Sequence, residues 1–284
     1  MGTTQIQDLP EDCLAHIIAF TTPRDTCQSM LVSTMFRNSA ELDLVWNKFL
    51  PYDYRDIISK LVYPIEFSSK RDLFFKLSTP LLIDGGNKTF AIDKFTNKKC
   101  YMLSARELSI AWASHPLYWC WKRLLHSRFL KGVELIMVCS LQILGTINTR
   151  ILSTNTTYGA YLVVKLADRA FGLDSLPSEI SIEVGNYKSR RKTYLRHNER
   201  KKQEFEHIFT QHKTDRSRLR SRSKVCEVEE CDLCERKDGW LEVELGEFYC
   251  DGKDKEVKMS LKEVKGVHLK GGLLVEGIQL RPKY

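Results

Sequence analysis

The chain has 284 residues, of which 43% are apolar and 28% charged, and its net charge is +8. This length suits one large domain or two small ones, and the apolar content excludes a disordered tail. Mean hydropathy is −0.31, and no apolar run approaches the roughly 18 residues of a membrane helix. The first residues lack the basic and apolar segments of a secretory signal. We therefore expect a protein of the cytoplasm and nucleus with reduced cysteines.

The positive charge is concentrated in one segment. Residues 188–224 hold 14 Lys and Arg against 4 Asp and Glu, so the rest of the chain is close to neutral. Few aromatic residues interleave with these cations, which disfavours a surface that stacks nucleic-acid bases. The sequence therefore predicts a basic, mobile insertion at about 188–236. The alternative for this segment is a nuclear localisation signal or a flexible basic segment that binds nucleic acid.

The first fifty residues predict helices. Leu14, Ile17 and Ile18 follow helical spacing between about residues 11 and 20. Thr22 followed by Pro23 is typical of a second helix start. A third short helix is predicted around Val45 and Trp46, and ends before Pro51. Residues 52–62 and 69–77 are further helical candidates, which lie in a connecting segment, 53–99.

The pattern changes to a period of two from about residue 100. At least six apolar–polar alternations are separated by turn residues, without a long helix between them. They lie around residues 135–143, 162–166, 180–184, 241–245, 257–261 and 274–280. The expected fold class is therefore α+β with two domains: a small helical one, then an all-β antiparallel sandwich over 100–284.

The helical start resembles an F-box over residues 8–52. The motifs that carry this resemblance are Leu9-Pro10-Glu11-Asp12-Cys13-Leu14 with Ile17-Ile18, Leu31-Val32-Ser33, and Val45-Trp46. The resemblance implies docking onto a Skp-type adaptor of a cullin–RING ubiquitin ligase through apolar helix contacts. The residues expected at that interface are Leu9, Pro10, Leu14, Ile17, Ile18, Leu31 and Trp46. The alternative is a helical cap that packs only within the molecule.

The remainder resembles the plant phloem-lectin domain, which a jasmonate-induced tobacco lectin shares. The motifs are Ala105–Trp112, Pro116–Trp121, Thr157–Val163, Asp238–Gly246 and Gly272–Pro282. The resemblance implies a β-sandwich that binds N-acetylglucosamine oligomers or N-glycan cores. It places carbohydrate binding on Trp112 and Trp119, with Glu256 and Glu263 as acidic partners. Because tryptophans in sandwiches often pack in the core, core packing is the alternative for both indoles.

No metal, cofactor or catalytic site is predicted. Cys226-x4-Cys231-x2-Cys234 resembles half of a zinc site, and Cys250, His207 or His212 would have to complete it. Unligated thiols in the basic insertion are the favoured interpretation. Neither a nucleophile elbow nor a phosphate-binding glycine loop occurs. Four further cysteines lie in apolar patterns and are predicted to be buried: Cys13, Cys27, Cys120 and Cys139.

Together these features predict a non-catalytic substrate receptor of a Skp–cullin–F-box ubiquitin ligase. A glycan or glycoprotein is its possible client. The alternative is a carbohydrate-binding or stress-response lectin that acts without ligase assembly.

Overall fold

The computed structural model describes residues 9–195 and 233–283. Six helices precede the sheets: α1 (Glu11–Ile18), α2 (Pro23–Ser29), α3 (Thr34–Glu41), α4 (Asp43–Phe49), α5 (Tyr54–Ser59) and α6 (Lys70–Leu77). Side-chain oxygens cap three of them: Thr22 at α2, Ser33 at α3 and Ser69 at α6. Asp8, whose position in the sequence predicts a cap of α1, lies outside the described residues.

An aromatic cluster forms the core of the helical part. Trp46 packs against Phe49 and Phe74, with ring centroids 5.6 and 5.3 Å away. Its indole nitrogen donates to the Ala40 carbonyl over 2.8 Å. Since Leu14 and Ala40 are also fully buried, α1, α3, α4 and α6 enclose one apolar centre.

The described part of the chain continues with fourteen strands: β1 (Leu81–Ile83), β2 (Lys88–Ile92), β3 (Lys99–Ser104), β4 (Ser109–Ile110), β5 (Trp119–Lys122), β6 (Gly132–Leu135), β7 (Leu141–Asn148), β8 (Thr156–Phe171), β9 (Ser178–Val184), β10 (Tyr187–Thr193), β11 (Cys234–Glu235), β12 (Leu241–Cys250), β13 (Glu256–Glu263) and β14 (Gly271–Pro282).

These strands form two antiparallel sheets. The larger has the order β1-β2-β3-β14-β8-β12-β11, with β6 paired to β14 and β5 to β6; the smaller has the order β10-β9-β13-β7-β4. The sheets pack closely: a Cβ on Gly145 in the smaller sheet would lie 2.7 Å from Ile278 in the larger one. The predicted class, short helices followed by a sheet-rich antiparallel domain, is confirmed.

Two predicted boundaries differ from the structure. β1 and β2, within the connecting segment, pair into the larger sheet. Residues 187–193, at the start of the basic insertion, form β10 and pair with β9. The rest of the insertion falls mostly outside the described residues.

The prediction that four cysteines are buried is wrong. Cys13, Cys120 and Cys139 are exposed and Cys27 is half-buried. Cys120 lies between two inward-facing tryptophans of β5, so its side chain points to the opposite face. Cys139 lies in the turn between β6 and β7, where the predicted continuous strand is interrupted.

A buried ion pair joins the helical part to the sandwich. Lys99 Nζ lies 2.7 Å from Asp53 Oδ2, and the Lys99 side chain is only 3% exposed. Its backbone nitrogen donates to Ser153 Oγ over 3.0 Å, and its carbonyl accepts from the Tyr158 hydroxyl over 2.9 Å. The junction is therefore fixed by polar contacts as well as by a shared apolar core.

The sandwich thus has a helix-facing end and a distal end. Turns around residues 149–154 and 252–254 share a cavity of about 480 Å³ with Leu50 and Tyr52 of the helical part. The turns at 111–118, 136–140, 172–177 and 264–270 lie at the other end of the strands.

Candidate binding surfaces

Large apolar side chains are exposed on the first helices. Ile17, Phe20, Leu31 and Val32 are 50%, 83%, 81% and 68% accessible. They lie at or just beyond the ends of α1 and α2. Exposed apolar side chains at this density are typical of a protein-binding surface. We call these four residues the helical apolar surface.

The predicted adaptor contacts divide into two groups. Pro10, Ile17 and Leu31 are exposed and Leu9 is half-buried. The other three predicted contacts are at most 3% exposed and belong to the core: Leu14, Ile18 and Trp46. These three cannot touch a partner without unfolding, so their contribution is to hold the surface in shape. Phe20 and Val32 are also exposed, and the sequence analysis did not single them out although both lie beside the predicted helix ends.

Trp119 is a core residue, which was the alternative to a stacking role. Only 2% of Trp119 is exposed, and its cross-strand neighbour is Leu135 on β6. The indole nitrogen donates to the Ala111 carbonyl over 2.9 Å. Neither ring face is open to a sugar in this packing.

Trp121 has a matching role two residues further along β5. Its indole nitrogen donates to the Ala113 carbonyl over 2.9 Å, and the Arg106 guanidinium lies 4.4 Å from its ring centroid. The two indole donors therefore hold the carbonyls on either side of Trp112. The Trp-x-Trp spacing explains this, because residues two apart in a strand face the same side.

This arrangement leaves the Trp112 side chain exposed to solvent. It is 64% exposed and has a left-handed backbone, with φ of 65°. Such a conformation is unfavourable for a side chain of this size and is found mainly where the surroundings enforce it. Tyr118 packs against its ring at 6.1 Å, and His115 packs against Tyr118 at 4.8 Å. The distal end thus carries an accessible aromatic face.

The two predicted acidic partners lie at opposite ends of β13, roughly 23 Å apart at strand rise. Glu256 is exposed and pairs with Lys258. Glu263 is 4% exposed and pairs with the buried Lys270, while its Oε1 accepts from the Gly266 backbone over 3.0 Å. The Ala111 backbone nitrogen, next to Trp112, donates to the Gln142 carbonyl. Gln142 follows Leu141, which lies opposite Glu263 in the sheet. Of the two acids, only Glu263 therefore lies at the Trp112 end of β13.

No group of three metal-ligating side chains converges within residues 9–195 and 233–283. Of the ligands considered for the zinc alternative, Cys226, Cys231, His207 and His212 lie outside those residues. No helix in the described part of the chain is long and apolar enough to cross a membrane.

Two family models match the chain. The phloem protein 2 model matches residues 98–282, and the F-box domain model matches residues 6–48. Three similar relatives come from Arabidopsis thaliana. F-box protein PP2-B15 is 47% identical (97% of this chain and 96% of the relative covered), F-box protein VBF 44% (97% and 99%), and F-box protein PP2-B13 43% (96% and 98%). The F-box match lies within the helical part and the phloem protein 2 match within the sandwich, while α5, α6, β1 and β2 lie between the two matched ranges.

Proposed function

Because the chain belongs to the phloem protein 2 family and carries an F-box domain, we propose that it is the substrate-recognition subunit of a Skp–cullin–F-box ubiquitin ligase. The observation that carries this proposal is the helical apolar surface, which nothing in the described part of the chain covers. A Skp-type adaptor would bury these side chains in the way that helices of two proteins commonly associate.

The proposed mechanism is tethering rather than catalysis. The F-box holds the adaptor and, through it, the cullin–RING module, while the sandwich holds the client. This raises the client's effective concentration beside the ubiquitin-charged enzyme. The rigid junction at Lys99 and Asp53 favours such a role, since a fixed spacer keeps the two ends at a constant separation. The expected location in the cytoplasm and nucleus belongs to this proposal.

The test is binding of the full chain to a purified Skp-type adaptor. Phe20→Ser combined with Leu31→Ser should weaken binding at least about tenfold, because two central apolar contacts are lost. Leu125→Ser combined with Leu130→Ser is the matched control, since these leucines are 84% and 66% exposed on the sandwich. Undiminished adaptor binding by the first variant would contradict the F-box role.

A second proposed function is carbohydrate binding, which the exposed face of Trp112 favours. Sugars stack their apolar faces on aromatic rings, and polar side chains fix their hydroxyl groups. N-acetylglucosamine oligomers or N-glycan cores are the ligands that the family resemblance implies. In this proposal Trp112 touches the sugar, and Trp119 and Glu263 only support the turns around it. Glu256 lies too far along β13 to share the site.

Chitin oligomers are the probe for this function. Trp112→Ala should reduce affinity about tenfold to a hundredfold, by analogy with the loss of one aromatic stacking contact. Leu117→Ala is the control, since Leu117 lies in the same turn and is 67% exposed. Equal affinity of wild type and Trp112→Ala would remove Trp112 from the site.

The lectin that acts without a ligase remains the alternative to the first proposal. Affinity purification of the intact chain separates the two, because a ligase subunit brings adaptor and cullin with it. Recovery of glycoproteins alone, without adaptor, would favour the lectin.

A further inference from the structure

A second recess opens at the distal end, on the outer face of the smaller sheet. It has a volume of about 230 Å³. Its apolar wall consists of Leu176, Pro177 and Val264, and Leu176 and Val264 are 39% and 55% exposed. The recess is large enough for one aliphatic side chain, and it is open to solvent.

Three lysines surround this recess: Lys192, Lys262 and Lys265. The strand register explains two of them. Lys192 on β10 and Lys262 on β13 both lie opposite Glu179 on β9. Cross-strand neighbours have Cβ atoms about 4.5–5.5 Å apart, so these charges are held within one small area by the sheet itself.

The described residues neutralise only part of the positive charge of the recess. Other lysines on the same sheet face have ion-pair partners: Lys188 pairs with Glu183, and Lys258 pairs with Glu256. Within residues 9–195 and 233–283, no ion pair involves any of the three recess lysines. The ion pair that Glu179 forms in this part of the chain is with Arg190, at 3.9 Å.

The second carboxylate of the recess is also occupied. Glu263 is buried against Lys270 and accepts from the backbone of Gly266. It therefore faces the interior of the sandwich, and among the described lining residues Glu179 is the one acid on the surface. Three lysines against one such acid give this recess an excess of positive charge.

We propose that this recess binds an acidic peptide segment that carries one apolar residue. The aliphatic side chain sits between Leu176 and Val264, and flanking carboxylates face the three lysines. None of the described residues that line the recess is aromatic, which disfavours nucleic-acid bases, because these need stacking surfaces. The peptide would belong to the client, so this step rests on the proposed receptor role; peptide binding itself requires neither adaptor nor glycan.

The test uses the full chain and fluorescein-labelled ten-residue peptides. The first peptide has a central leucine flanked by aspartates and glutamates. The second replaces the leucine by glycine, and the third replaces every acid by its amide. The first should bind at least about tenfold more tightly than either of the others, and its affinity should fall with added salt.

Two pairs of variants locate the contact. The triple variant Lys192→Gln, Lys262→Gln and Lys265→Gln should lose at least about tenfold in affinity. Its control, Lys188→Gln, Lys253→Gln and Lys258→Gln, removes the same charge from the helix-facing end of the same sheet and should bind as wild type.

The apolar wall has its own matched pair. Val264→Ser should weaken binding of the leucine peptide, whereas Val267→Ser in the same turn, at a residue 93% exposed, should not. Equal losses in the lysine triple and its control, or wild-type preference for none of the peptides, would overturn the proposal. Adaptor binding, measured on the same variants, should stay unchanged. If the wild-type chain itself does not bind the adaptor, that result would count against the receptor role and not against peptide binding by the recess.

Discussion

Trp112 and Trp119 are predicted to respond oppositely to substitution, although the sequence motif presents them alike. Trp119→Ala removes a ring that is 2% exposed and a hydrogen bond to the Ala111 carbonyl. Removal of a buried tryptophan costs about 3–5 kcal/mol. For a domain of this size, each kcal/mol shifts the melting temperature by about 2–4 °C. The expected loss is therefore roughly 6–20 °C.

Trp112→Gly should leave stability unchanged or raise it. The ring is 64% exposed, so little buried area is lost. A left-handed backbone costs a residue with a Cβ about 1–2 kcal/mol, which glycine avoids. Glycine in turn loses about 0.5–1 kcal/mol through its greater freedom in the unfolded chain. The net change should lie between zero and about 1.5 kcal/mol in favour of the variant.

Urea unfolding of the full chain, followed by tryptophan fluorescence and circular dichroism, measures both changes. The slopes of the unfolding curves should agree between variants, which shows that the same surface is exposed on unfolding. Equal destabilisation by the two substitutions, or a Trp119→Ala protein as stable as wild type, would refute the assignment of Trp119 to the core and of Trp112 to the surface.

Three further predictions follow from buried polar groups. Lys99→Met should destabilise the protein by about 1–3 kcal/mol, because it removes the ion-pair partner of Asp53, whose side chain is 21% exposed; Lys99→Met with Asp53→Asn should recover part of that loss in urea unfolding. Burial raises the pKa of Glu276, so its ionisation costs stability as pH rises through the raised pKa. Glu276→Gln should therefore stabilise the fold more at pH 7 than near pH 4, measured by thermal unfolding at both values. Trp121→Phe removes the indole donor to Ala113 and should raise amide hydrogen exchange in the turn that carries Trp112.

The helical start was largely predictable, because its signals are local. Apolar spacing and the Thr22–Pro23 start identified α1 and α2 correctly. α3 (Thr34–Glu41) was missed, because its apolar stripe is short and interrupted by polar residues: Met35, Phe36 and Ala40 share the inward side with Ser39. A second signal was the cap: Ser33 accepts from the Phe36 backbone over 3.3 Å. A search for capping residues together with this short stripe could have found the helix.

Alternation predicted strands but not their assignment to sheets. The apolar residues between Leu135 and Ile143 indicated one strand, yet β6 belongs to the larger sheet and β7 to the smaller one. The chain crosses between the sheets in the turn between them, where Met137 is 42% exposed. A period of two is the same on both sides of a sandwich, so the crossing leaves no trace in the pattern.

The candidate site depends on tertiary hydrogen bonds whose acceptors the Trp-x-Trp spacing does not identify, although that spacing places both indoles on one side. Trp119 and Trp121 face the same way and donate to the carbonyls of Ala111 and Ala113, and these contacts place Trp112 outside. The three tryptophans therefore act as one unit, in which two fix the turn and the third is accessible. Loss of sugar binding on substitution of Trp119 would consequently not identify it as a sugar contact. Only a variant that keeps the turn and removes the exposed ring, such as Trp112→Ala, distinguishes contact from support.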